Sequence, residues 1–255
     1  MCQDCGCGDP DLVPLEIQQR ILWQNDVTAQ HNREHFEAAG ILALNLMGSP
    51  GSGKTALLEA TARRLGDRLR LGAVSGDLAT DNDEQRLRKA GIPSATITTG
   101  QSCHLDARLV HECLHDFNDH QGTAGLDVFV IENVGNLVCP AIYDLGEAVR
   151  VVALSVTEGE DKPIKYPVMF QHADLVLITK CDLLPHLDVD LAALHDALAR
   201  VMPEPRTLLV SARTGEGIDK FIQFLEEKRA GLSEKAAAAA RSGGVTGHSR
   251  GHAHA

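Results

Sequence analysis

The chain has 255 residues, 44% hydrophobic and 23% charged, which is enough apolar material for one large domain with extensions and too much for a disordered chain. Its 24 basic and 35 acidic residues leave a net charge of −11, and aromatics are only 4%; both argue against nucleic acid, so any nucleotide must be held by a local site. No apolar stretch approaches the ~18 residues of a membrane span and the opening MCQDCGCGDP carries no apolar signal core, so a cytoplasmic protein with no membrane contact is expected.

Four segments follow one another. Residues 1–10 are rich in Cys and Gly and pack no core. Within them Cys2, Cys5 and Cys7 put three thiolates on a flexible tether, with the terminal amine as a fourth donor. Such short chelate loops suit one soft or borderline cation, Ni²⁺ in a square-planar set or Zn²⁺. A redox-active or incidental thiol cluster is the alternative. Over 11–40, Leu15, Ile17, Ile21, Leu22, Val27 and Phe36 recur at helical spacing and Gly40 ends the pattern, which predicts a helical extension.

From 41 to 230, seven apolar runs alternate with amphipathic stretches: ILALNLM (41–47), LRLGAVS (69–75), SATIT (94–98), LDVFVIE (126–132), VRVVALSV (149–156), ADLVLIT (173–179) and RTLLVSA (206–212). That alternation predicts an α/β domain, a mostly parallel sheet of about seven strands with helices on both faces. Residues 231–255 are dominated by Ala, Gly, Ser and His and are expected to be a disordered tail; His248, His252 and His254 offer it only weak metal affinity.

The first run feeds directly into Gly48-Ser49-Pro50-Gly51-Ser52-Gly53-Lys54-Thr55 and then a helical stretch. Gly-x4-Gly-Lys-Thr between strand and helix is a phosphate-binding loop: the glycines let successive N–H groups converge at a helix N-terminus. Lys54 is expected to reach the β- and γ-phosphates and Thr55 to complete a Mg²⁺ shell. Asp77 after the second run and Glu132 at the end of the fourth are the carboxylates available for that cation, or else solvated strand ends. Gly135 is placed to give its N–H to the γ-phosphate. Cys103 and His104 open a helix, and Cys139 follows the segment expected to sense that phosphate. From spacing alone, Cys103 and Cys139 are as well read as unrelated thiols as ligands. Cys113 falls in a helical run and reads as a buried small hydrophobe, and Cys181 as a variable position.

Thr179-Lys180-Cys181-Asp182 resembles the Asn/Thr-Lys-x-Asp signature of GTPases. Asp182 can accept from guanine N1–H and the N2 amine, a donor pair adenine lacks; Lys180 lays its stem along the base. Ser211 and Ala212 are expected to bring a backbone amide to the guanine O6. No general base stands out, so hydrolysis should be slow; Lys162 or Lys165 could add positive charge across a dimer. Eight further histidines (31, 35, 111, 115, 120, 172, 186 and 195) read as surface or helix-capping residues rather than ligands.

Taken in order, Cys-x-x-Cys-Gly-Cys, GSPGSGKT, GDLATDND, GQSCHLDA, IENVGNLVCP, SVTEGEDKPIKYP and ITKCDLL resemble the HypB family, over residues 1–10 and 40–230. The resemblance implies a P-loop GTPase that incorporates nickel during [NiFe]-hydrogenase maturation, uses GTP with Mg²⁺, and forms a homodimer in the GTP state. It implies a HypA-type metallochaperone as partner and, indirectly, the hydrogenase large-subunit precursor. It further implies nickel at Cys2, Cys5 and Cys7, and nickel or zinc (Ni²⁺ or Zn²⁺) at Cys103, His104 and Cys139. Members with long His-rich nickel-storing stretches differ from the short tail here. Other readings of the same residues are a nickel or zinc buffer with a regulatory nucleotide site, delivery to another nickel enzyme such as urease, or a small-molecule kinase.

Overall fold

Strands that return to one sheet after an intervening helix pair parallel, and buried on both faces they read as continuous apolar runs. The computed structural model describes residues 15–77, 81–100 and 104–243. Helix α1 (Leu15–Ala38) leads to β1 (Leu42–Gly48), α2 (Lys54–Leu65), β2 (Leu71–Asp77), α3 (Asn82–Lys89), β3 (Ser94–Thr98), α4 (Ala107–His120) and β4 (Val128–Glu132). Then come β5 (Val149–Ser155), the short α5 (Lys162–Lys165) and α6 (Pro167–Gln171), β6 (Leu175–Thr179), α7 (Leu191–Val201), β7 (Thr207–Val210) and α8 (Ile218–Gly243). Two 3-10 turns, Cys139–Ala141 and Cys181–His186, follow β4 and β6.

Among the described residues the seven strands form one sheet, β3-β2-β4-β1-β5-β6-β7, with every neighbouring pair parallel. The expected fold class is therefore the one found. Strand β1 is central, and the chain fills first one side of it and then the other, so ligands are expected at the carboxyl ends beside β1. Along β1, Leu42, Leu44 and Leu46 pack with Leu57 and Leu58 of α2 and Phe221, Ile222 and Leu225 of α8. On the opposite face Ala43 belongs with Phe36 of α1 and Val110, Leu114 and Phe117 of α4. Met47 belongs with Met169 and Phe170 of α6 and Leu194 and Leu198 of α7.

Two expectations about the ends change. Helix α1 buries Phe36, but Ile17 and Val27 are half exposed, and the helix docks through polar groups. Asn25 donates to the Asp144 carbonyl (2.8 Å) and accepts from the Ala107 N–H (2.9 Å). Asn32, fully buried, donates to the carbonyls of Ala107 (2.8 Å) and Leu145 (3.1 Å). Helix α8 runs on to Gly243, so residues 231–243 are helical where a disordered tail was expected. Five successive alanines, the strongest helix formers, extend a helix already held by the buried residues from Ile218 to Leu225. Cys2, Cys5, Cys7, Cys103, His248, His252 and His254 lie outside the described residues. No helix among the described residues is long and apolar enough to cross a membrane.

Candidate nucleotide and metal site

The loop from Gly48 to Thr55 leaves the carboxyl end of β1 and turns straight into α2. Only glycine fits at its first position, where a Cβ would collide with the carbonyl oxygen of Ala153. Gly53 has φ of 93°, in the left-handed region that side chains avoid. Lys54 is buried, its ammonium donating to the carbonyls of Gly48 (3.1 Å) and Ser49 (3.3 Å). Burial pushes its pKa down, opposed by the charges of Glu132, Asp83 and Glu158.

The Thr55 hydroxyl donates to Glu132 Oε1 at 2.7 Å. Burial raises the Glu132 carboxyl to about 7, against the pull of the Thr55 hydrogen bond and of Lys54. Its other oxygen, Oε2, is buried without a hydrogen-bond partner. A hydroxyl and an unsatisfied carboxylate oxygen side by side form the oxygen donor set that a hard cation such as Mg²⁺ takes, so these residues fit it. Asp77 is the last residue of β2 and lines the same cavity of about 380 Å³, together with Asp83, Arg86 and Gly135. Gly135 lies directly on the phosphate loop: a Cβ there would sit 2.9 Å from Pro50 Cα.

In the metal-free, nucleotide-free protein, the raised Glu132 pKa is a stability statement. The folded state holds this proton more tightly than the unfolded chain, so stability falls as pH rises from the unfolded value of about 4.5 through about 7. Glu132→Gln, which keeps an acceptor for Thr55, should gain on the wild type across that window by on the order of 3 kcal/mol and plateau above it. Urea unfolding of both proteins at pH 5 and pH 8 measures this; equal differences at the two values would refute it.

A second cavity of about 400 Å³ lies beyond α2, lined by Thr179, Lys180, Asp182, Ala212 and Arg213. Asp182 Oδ1 accepts the Ser211 hydroxyl at 2.6 Å. Lys180 takes φ of 59°, the only such non-glycine among the described residues, as the chain turns sharply out of β6. The Ser211 N–H is spent on the Glu216 carbonyl (2.9 Å), so Ser211 acts on Asp182 through its hydroxyl, and Ala212 is left as the residue to offer an amide.

Several contributors escaped the sequence reading. The Thr179 hydroxyl donates to the Ser52 carbonyl at 2.6 Å and ties the base segment to the phosphate loop. Glu158 accepts from the Ser49 hydroxyl and from the Ser155 N–H (2.9 Å), so Ser49 anchors the loop to the turn after β5. Arg86, held by Glu59 at 2.9 Å, is the basic side chain beside Lys54 in the phosphate cavity. Lys162 and Lys165 lie apart from that cavity's lining: Lys162 is 5.4 Å from the Tyr166 ring and Lys165 pairs with Asp161.

His104 is buried and stacks on Tyr143, with ring centres 4.1 Å apart, which brings it to the segment that starts at Cys139. Burial lowers its pKa and keeps the imidazole neutral, as a ligand must be. Cys139 is buried in its 3-10 turn. Next to His104, the Leu105 N–H donates to Asn133 Oδ1 (3.4 Å), which also accepts from the Val134 N–H (2.9 Å). Cys113 is buried, as expected, and Cys181 is buried as well; burial raises their thiol pKa values to about 12 and about 11.

A glycine-rich loop at the end of the central strand, with a Lys-x-Asp segment two strands away, defines a P-loop domain of the GTPase class. The family description "CobW/HypB/UreG, nucleotide-binding domain" matches residues 42–208. A hydrogenase maturation factor HypB of Rhizobium leguminosarum bv. viciae is 51% identical over 212 residues, 83% of this chain and 70% of the relative. The crystal structure of HypB from Helicobacter pylori in complex with nickel covers 81% of this chain and 95% of its own, at 39% identity and TM-score 0.78. HypB from Archaeoglobus fulgidus covers 82% and 100%, at 39% identity and TM-score 0.74. The chain belongs to the HypB family of hydrogenase maturation factors.

Proposed function

We propose that this chain hydrolyses GTP to time the delivery of nickel during [NiFe]-hydrogenase maturation. The supporting relatives carry the name of that maturation factor, and one of them was solved with nickel. The observation that carries the coupling is that two consecutive residues face two sites. Glu132 takes the hydroxyl of the phosphate-loop Thr55, while Asn133 takes the N–H of Leu105, next to His104. A shift at the end of β4 therefore reaches both.

GTP binds with its base against Lys180 and Asp182 and its phosphates over Gly48–Thr55, displacing the Lys54 ammonium from the loop carbonyls. Thr55, Glu132 and Asp77 would hold Mg²⁺, which when bound neutralises charge on the β- and γ-oxygens. Lys54, Arg86 and the Gly135 N–H stabilise the charge that develops as water attacks the γ-phosphorus and its bond to the bridging oxygen breaks, leaving GDP and phosphate. Turnover is slow because it depends on water positioning.

The cargo is held by Cys2, Cys5 and Cys7, and by Cys103, His104 and Cys139 as nickel or zinc. In the GTP state the chain pairs as a homodimer. The half-exposed Val138 and Ile142 flanking the Cys139 turn, and the half-exposed Val168 on α6, the helix beside that turn, support that face as the contact. Nickel is received from or passed to a HypA-type metallochaperone, and reaches the large-subunit precursor indirectly.

Calorimetric titration of Ni²⁺ and Zn²⁺ into protein loaded with GDP or a non-hydrolysable GTP analogue tests this. The expected result is several-fold different affinity between the two states at the Cys139 site. Identical affinities would reduce the chain to a cation buffer with a neighbouring nucleotide. Cys139→Ser should weaken cation binding in both states, and unchanged binding would remove that thiolate from the ligand set.

A further inference from the structure

Four histidines that sequence spacing leaves as surface residues converge on the seam between α1 and α4. His31 and His35 stand one turn apart on α1, and His111 and His115 one turn apart on α4, so each pair shares a helix face. Ring centres lie 4.6 Å apart for His31 and His35, 5.1 Å for His31 and His111, 5.9 Å for His35 and His115, and 4.6 Å for His111 and His115. The Nε2 atoms of His111 and His115 are 3.2 Å apart. We propose that this quartet binds one borderline divalent transition-metal cation through imidazole nitrogen alone.

The spacing suits such an ion. Imidazole nitrogens held at ~2.0–2.1 Å around a tetrahedral cation stand about 3.3 Å from one another, with ring centres about 5 Å apart. Imidazole is the donor that Zn²⁺, Ni²⁺, Co²⁺ and Cu²⁺ share, while Mg²⁺ and Ca²⁺ prefer oxygen.

Asn32 supplies the orientation. Both its amide protons are committed to the carbonyls of Ala107 and Leu145, so the atom facing His111 Nδ1 at 3.0 Å is the amide oxygen. An oxygen only accepts, which places the His111 proton on Nδ1 and turns the Nε2 lone pair toward His115. A carbonyl taking the distal N–H is how proteins orient metal-bound imidazoles. Burial and the neighbouring His115, His31 and His35 also depress the His111 pKa, favouring the neutral ligand.

The rings as they stand do not yet surround one point: among the described residues no three ligating side chains are arranged around an ion. His31, His35 and His115 are exposed, so their side-chain rotations close the set. The helices need not move, because Asn32 and the Arg33–Asp144 ion pair (2.8 Å) hold α1 in place. Having no sulfur donor, the site is distinct from the proposed thiolate sites and does not depend on nucleotide.

The test titrates cobalt(II) into the full-length protein and into His31→Ala/His115→Ala, which removes one exposed ligand from each helix. The variant should bind one equivalent less. The missing component should be visible d–d absorption without thiolate-to-cobalt charge transfer, and Zn²⁺ should abolish it in the wild type. His172→Ala, an exposed histidine outside the quartet, should bind as the wild type does. Equal stoichiometry and spectra in the double variant and the wild type would overturn the site, as would the same loss in His172→Ala.

Discussion

Lys54→Ala should lower kcat for GTP hydrolysis by about 10²–10³-fold, the effect of removing one preorganised donor from developing charge. The magnitude follows from the company the ammonium keeps. Its cavity is lined by Asp77, Asp83 and Glu132, and Arg86 is already committed to Glu59 and Asp83. Without Lys54, a triphosphate would meet an acidic wall and the loop's own carbonyls. The nickel proposed at Cys2, Cys5 and Cys7 should stay at the wild-type equivalent, because those residues lie more than forty positions before the phosphate loop in the chain. Single-turnover hydrolysis alongside nickel equilibrium dialysis measures both. Full turnover in the variant would remove Lys54 from the reaction, and loss of nickel together with turnover would show that the two sites are not independent.

Asp182→Asn should weaken GTP by about 10–10²-fold and make xanthosine triphosphate the better ligand. An ionised carboxylate accepting two N–H groups is worth about 1.5–3 kcal/mol per hydrogen bond to a charged group. Asparagine replaces one of those acceptors with a donor. Guanine has an amine at position 2, which that donor repels; xanthine has an oxygen there, which accepts from it. Ser211→Ala should give a smaller loss without the switch, since it removes only the 2.6 Å hydrogen bond that aims Asp182. Competition binding with GTP and xanthosine triphosphate decides the matter. Continued preference for guanine in Asp182→Asn would put the base elsewhere.

The P-loop was legible because it is written in backbone conformation. Gly48, Gly51 and Gly53 all take positive φ, and only glycine makes that series of angles cheap in consecutive turns. The inner strands β1, β4, β5 and β6 were legible for a similar reason, since burial on both faces leaves them little polar alternation to obscure the run. Lys180 and Asp182 were readable as a pair because one sharp turn after β6 sets both. Helix α1 was half readable: its period was right, but Asn25 and Asn32 dock it where an apolar stripe was expected.

Sequence alone thus determined the sheet, the phosphate loop and the base segment, all products of local periodicity and of the φ angles that neighbouring residues can take. Tertiary structure alone decided what braces and surrounds them. Thr179 reaches Ser52, Glu158 reaches Ser49, Asn133 joins the phosphate segment to Leu105, and four histidines from two helices meet around Asn32. Each of these contacts joins residues far apart along the chain. A side chain's partner across such a distance depends on strand order and helix docking, which no local pattern of residues encodes.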